Sequence, residues 1–84
     1  GPIIPTKICV IAPKSKHYKI NSIDDLKKYK IGAVINDIGE QLLLSNGIPK
    51  KNVKSVSGKT PVILNFSKMG KGRIDMFAYE VNVA

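Results

Sequence analysis

The chain has 84 residues, 43% of them hydrophobic and 24% charged, enough for one small domain with a modest core and too few for two. Fourteen Lys and Arg against six Asp and Glu leave a net charge of +8, a sign that suits nucleic acid, yet the cations form no single run and no basic amphipathic helix. One cysteine excludes an internal disulfide, and no stretch reaches the roughly 20 apolar residues of a membrane span.

The first element in chain order is KICVIA, Lys7 to Ala12, a β-branched apolar run stopped by Pro13 that predicts a buried strand, with Cys9 an inert core thiol inside it. A polar stretch, KSKHYK, leads to INSIDDLKKYK. Ser22 with Asp25 three residues on has the form of a capping box before a short helix. KIGAVI, Lys30 to Ile35, predicts a second buried strand. In NDIGEQLLLSNG, Asn36 or Asp37 can cap a helix, Asp37 and Glu40 suit its first turn, and Asn46-Gly47 is a stop. VKSV, Val53 to Val56, alternates as a short strand. Thr60 and Pro61 then open a helix that runs to Gly70, and RIDMFAYE is the fourth strand.

Strands and helices alternating at this spacing predict an α/β domain, a three-layer sandwich around a mostly parallel sheet of four to five strands. Ligands of such sheets lie outside the carboxyl ends of the strands, beside helix N-termini. The places to look are therefore INDIG after the second strand and AYE after the fourth.

INDIGEQ sets backbone N–H groups at a helix start, where the macrodipole favours anions, although Asp37 is itself an anion and a plain helix cap explains the pattern equally. SGKT, Ser57 to Thr60, lacks the first glycine of a phosphate loop. His17 stands alone in a lysine-rich loop, without a second His or a Cys to share a metal. No positional signature selects a nucleophilic serine, so neither catalytic residues nor a metal nor a cofactor is expected. Phe77 reads as core, and so does Tyr79, whose place beside Glu80 also suits stacking against a ligand. The acid that closes KGRIDMFAYE, Glu80, follows a strand that reads as buried.

Two stretches together carry a resemblance. INSIDDLKKYKIGAV resembles the I-x-S-x-x-D-L-K-x-x-x-I-G-V segment of family 3 extracytoplasmic solute-binding proteins of ABC transporters, and KGRIDMFAYE resembles their x-G-R-x-D-A-x-x-x-D segment. The resemblance extends over nearly the whole chain from about Pro5, and it is to the second lobe of that two-lobed family. It implies a non-enzymatic periplasmic lobe, one piece of a longer protein, that holds a small polar solute such as an amino acid or amine in the cleft between lobes. The turn that holds a ligand carboxylate in the family falls at Asn36, Asp37 and Ile38, followed by Gly39, and the acid that binds an α-amino group falls at Glu80. Ile38 lacks the hydroxyl usual there, Asp37 would repel a carboxylate, and Glu80 is one methylene longer than the usual Asp; an amine or cation fits this set better than an ordinary zwitterion.

The implied partners are the missing first lobe and the membrane subunits of an ABC transporter, with self-association of the exposed lobe a further expectation. VNVA after the acid would begin the helix that follows in the family. The same module also serves as the extracytoplasmic sensor of membrane-bound signalling proteins, which is the alternative output; a small basic nucleic-acid-binding domain is the weaker one. The opening GPIIPTK has no Met and no signal-peptide pattern, as expected of a processed chain or an excised piece.

Overall fold

The computed structural model describes residues 6–82. Four strands, β1 (Thr6–Ile11), β2 (Ile31–Val34), β3 (Val53–Val56) and β4 (Met76–Asn82), form one sheet in the order β1-β4-β2-β3. β2 runs parallel to both β3 and β4, while β1 pairs antiparallel with β4, so the sheet is mostly parallel as expected. Helix α1 (Ile38–Ser45) and a 3-10 helix (Ile23–Lys28) cover one face, and helix α2 (Pro61–Gly70) covers the other. This is the α/β sandwich of three layers.

Side chains alternate across the pleat, which divides the core in two. Ile31, Ala33, Met76 and Ala78 face α1, where they pack with Leu26, Leu43 and Ile48. On the other face, Phe77 meets Phe66 of α2 edge to face at 4.9 Å between ring centroids. Ile31, Met76 and Phe77 are fully buried, which makes the β2–β4 pair the centre of the domain.

α2 reaches the sheet at Gly32. A Cβ added there would lie 2.6 Å from Asn65 Oδ1, 2.6 Å from Ile74 Cδ1 and 3.0 Å from Phe77 Cβ. Asn65 is buried, donating through Nδ2 to Ala33 O at 3.4 Å while its Oδ1, without a hydrogen-bond partner, lies over Gly32.

Both helices end in the same way. Gly47 (φ 86) follows the C-cap Asn46, with Gly47 N–H donating to Leu44 O and Ile48 N–H to Leu43 O; Gly72 (φ 74) follows Lys71, with Gly72 N–H donating to Met69 O and Arg73 N–H to Lys68 O. These are the paired bonds of a Schellman motif, which needs a left-handed residue just past the helix. α2 runs to Gly70, as its sequence suggests, but the left-handed residue of its stop is Gly72 and not Gly70.

The short helix expected after Ser22 is present as a 3-10 helix, tied at its start by the Asp25 carboxylate, which accepts from Asn21 and Ser22 N–H at 2.8 and 3.2 Å. Other expectations are corrected. Cys9 is exposed, because β1 is an edge strand and the face that Cys9 shares with Tyr79 extends beyond α2. Tyr79 is exposed too, unlike Phe77. Val81 and Asn82 prolong β4 rather than beginning a helix, since pairing with Lys7 and Thr6 keeps them extended; the other two residues of VNVA, like the first five of the chain, lie outside the described residues.

Replacing Gly32 by Ala is expected to destabilise the domain by about 1–3 kcal/mol, the usual cost of overpacking a close-packed site. An unchanged urea midpoint would show that α2 can retreat from the sheet without loss.

Candidate functional site

β2 ends at Val34, and the chain turns at once into α1. Asp37 N–H donates to Val34 O at 3.1 Å, closing a four-residue turn in which Asn36 takes the left-handed conformation (φ 62). Asn tolerates that region better than most side chains. Asp37 is the N-cap, its Oδ1 accepting from Ile38 N–H at 2.9 Å, and its carbonyl accepts the first helical bond from Gln41 N–H. Capping has thus consumed two of the N–H groups that the resemblance would assign to a ligand, those of Asp37 and Ile38. Gly39 and Glu40 carry the remaining open donors of this helix start.

Gly39 is also where α1 touches the sheet, since a Cβ added there would lie 3.2 Å from Ala78 Cβ. That contact fixes the position of Glu80. Two residues beyond Ala78 on β4, Glu80 lies on the same face, just past the start of α1. The register of β2 with β4 pairs Ile31 with Met76 and Gly32 with Phe77; continued along the strands, it sets Glu80 level with Ile35, one residue before Asn36. On its other side Glu80 pairs with Ile8 of β1. Its side chain is exposed and has no hydrogen-bond or ion-pair partner among the described residues.

Sequence reasoning missed the residue that braces this turn. Glu40 Oε1 accepts from Asn36 N–H at 3.2 Å, and Oε2 accepts from the Ser55 hydroxyl on β3. One carboxylate therefore ties the turn after β2 to the neighbouring strand. Glu40 at the fourth position after Asn36 was the available signal, but it reads equally as an acid complementing the helix dipole. Ile35, Glu40, Leu44, Lys50, Val53 and Ser55 line an open groove of about 460 Å³ beside the turn, with Glu80 outside it.

The end of the sheet thus gathers Asn36, Asp37, Ile38, Gly39, Glu40 and Glu80, three of them acids. Side-chain carboxylates are what this end offers to a cation, and the two open N–H groups are the donors left for an acceptor. Solved structures carry the same fold. One lobe of EhuB in complex with hydroxyectoine matches with a TM-score of 0.64 and 25% identity over 93% of this chain and 32% of that one. This chain has the fold of one lobe of a solute-binding protein.

An arginine-bound mutant of ArgBP from T. maritima matches with a TM-score of 0.63 and 17% identity over 93% of this chain and 33% of its own. An ancestral arginine-binding protein bound to glutamine gives 0.60 and 22% over 92% and 31%. The chain thus spans about a third of the length of these solute-binding proteins. No protein-family model matches the chain, and no curated protein matches it.

Replacing Glu40 by Ala frees both Asn36 N–H and the Ser55 hydroxyl, and is expected to cost about 1 kcal/mol and to speed amide hydrogen exchange at Asn36. Glu40→Gln, which keeps an acceptor oxygen, should lose less. Unchanged exchange at Asn36 in Glu40→Ala would remove Glu40 as the brace.

Proposed function

We propose that the chain is the second lobe of an extracytoplasmic solute-binding protein, a non-enzymatic receptor for a small polar solute carrying an amine or other cationic group. The observation that carries this reading is the placement of Glu80, an unpartnered carboxylate beside the start of α1, at the sheet end where Asp37 also exposes its carboxylate. A cation held between such carboxylates gains more than an anion would, and Glu80 need break no existing bond to bind it. The opposite end of the solute is held by the N–H groups of Gly39 and Glu40 and the side chain of Asn36. Solved proteins that share the fold are bound to arginine, glutamine and hydroxyectoine, which supports the solute class.

The mechanism is a shift of population: a solute touching both lobes in the closed state but only one in the open state favours closure. The partners are accordingly the first lobe and the membrane subunits of an ABC transporter. Since this chain makes only part of the contacts, it binds its solute weakly by itself.

Titration of the isotope-labelled chain with arginine should perturb the amides of Asn36 to Glu40 and of Glu80, with a dissociation constant on the order of millimolar. Glu80→Gln should weaken that binding about tenfold or more while leaving the fold unchanged. Perturbations elsewhere, or equal binding by Glu80→Gln, would overturn the assignment of Glu80. Micromolar affinity in the isolated chain would overturn the shared-cleft mechanism.

A further inference from the structure

Between Glu40 and Asp75 the chain has no carboxylate side chain and seven cations, Lys50, Lys51, Lys54, Lys59, Lys68, Lys71 and Arg73. The fold brings part of this set together around α2. Lys54 lies opposite Gly32 in the β2–β3 register, on the face where α2 packs. Lys68 is one turn beyond Asn65 on α2, and Arg73 N–H donates to Lys68 O at 2.9 Å. None of the three has an ion-pair partner among the described residues, where Lys27 with Asp24 forms the one salt bridge. Partial burial and the charges of Lys54 and Arg73 hold the Lys68 ammonium below the usual lysine range. A helix C-terminus accommodates a cation in its last turn, but its half charge does not neutralise three.

The outer surface of the same helix is apolar. Ile63 is 65% exposed and Leu64 40%, at positions where a solvated helix carries polar residues, while Phe66, 50% exposed, flanks them with its ring against Phe77. α2 has no acid on it, and Lys59 and Lys71 flank its two ends. Two cavities, the groove beside Glu40 and an apolar one of about 230 Å³ between α1 and β1, lie on the opposite face of the sheet. The outside of α2, where Ile63 projects, forms a ridge.

From this combination we propose that the α2 face docks on an anionic lipid surface, with Ile63 and its apolar neighbours entering the headgroup boundary and Lys54, Lys68 and Arg73 held by lipid phosphates. A small free anion would leave the apolar ridge unused. A protein partner would need a groove shaped to the ridge, whereas a lipid interface deforms around it. The physics is that of an interfacial amphipathic helix, in which apolar insertion and attraction to anionic headgroups add. This proposal does not depend on the solute-binding reading, since the face lies across the sheet from Glu80.

The test is co-sedimentation of the chain with vesicles of mixed phosphatidylglycerol and phosphatidylcholine, against phosphatidylcholine alone. Binding is expected to the mixed vesicles only and to fall as salt rises. Lys54→Gln combined with Arg73→Gln, both exposed positions, should weaken binding about thirtyfold at roughly 1 kcal/mol per cation. Ile63→Ser should weaken it severalfold. Lys14→Gln with Lys16→Gln removes the same charge from the turn beyond β1, at the opposite sheet edge, and should change binding less than threefold. Equal loss in that control pair, indifference to Ile63→Ser, or absence of vesicle binding would each overturn the proposal; binding to polyglutamate without binding to vesicles would reassign the face to an acidic protein. Circular dichroism of each variant separates loss of binding from loss of fold.

Discussion

The domain depends on how closely two helices can approach one pair of strands. β2 and β4 form the middle of the sheet, and Ile31, Met76 and Phe77 there are inaccessible to solvent. On one face Gly32 leaves space that Asn65, Ile74 and Phe77 fill; on the other, Gly39 lets the first turn of α1 rest on Ala78. A methyl group at either glycine would meet atoms that already occupy the space, and at Gly32 those atoms lie on both α2 and the sheet. In a core of crystal-like density such contacts force the neighbours to shift, most of all at Gly32. Seating both helices this closely is what turns Ile63 outward and sets the start of α1 beside the path of β4.

The helix ends translate that packing into topology. Each helix closes with a left-handed glycine and a pair of back-bonds, and in α1 the motif also places Ile48 and Leu43 in the same core cluster. The chain is returned each time towards the sheet to start the next strand. β2, β3 and β4 consequently run parallel, and the turn after β2 and the far part of β4 meet at one end of the sheet. The antiparallel partner β1 covers the remaining edge of β4 and holds its last residues extended through Asn82.

At that end a helix start uses several of its own polar groups internally. Asp37 satisfies Ile38 N–H and the turn satisfies Asp37 N–H, so the cap that makes α1 possible also leaves fewer open donors at this sheet end. Glu40 adds a second internal use of a carboxylate by tying Asn36 to Ser55. What remains outward-facing is weighted towards acid, and Glu80 is the member without an internal partner. A stable turn and the acid-weighted surface beside it arise from the same few residues.

Much of this was legible from residues close together in the sequence. The four strands, a cap at Asn36 or Asp37, the Asn46-Gly47 stop, the Thr60-Pro61 helix start and the α/β order all follow from periodicities and end signals acting over two to four residues. Signals of that kind pointed to Gly70 as the stop of α2, and only the back-bonds from Gly72 and Arg73 reveal Gly72 as its left-handed residue. They also made Cys9 and Tyr79 look buried, because an apolar run does not reveal whether its strand lies at an edge or how far a helix extends over it. The level of Glu80 against Ile35, the bond from Ser55 to Glu40 and the meeting of Lys54 with Lys68 and Arg73 were decided by tertiary structure alone. Each joins residues on different elements, and their distances are set by strand order and register, which no short window of sequence contains.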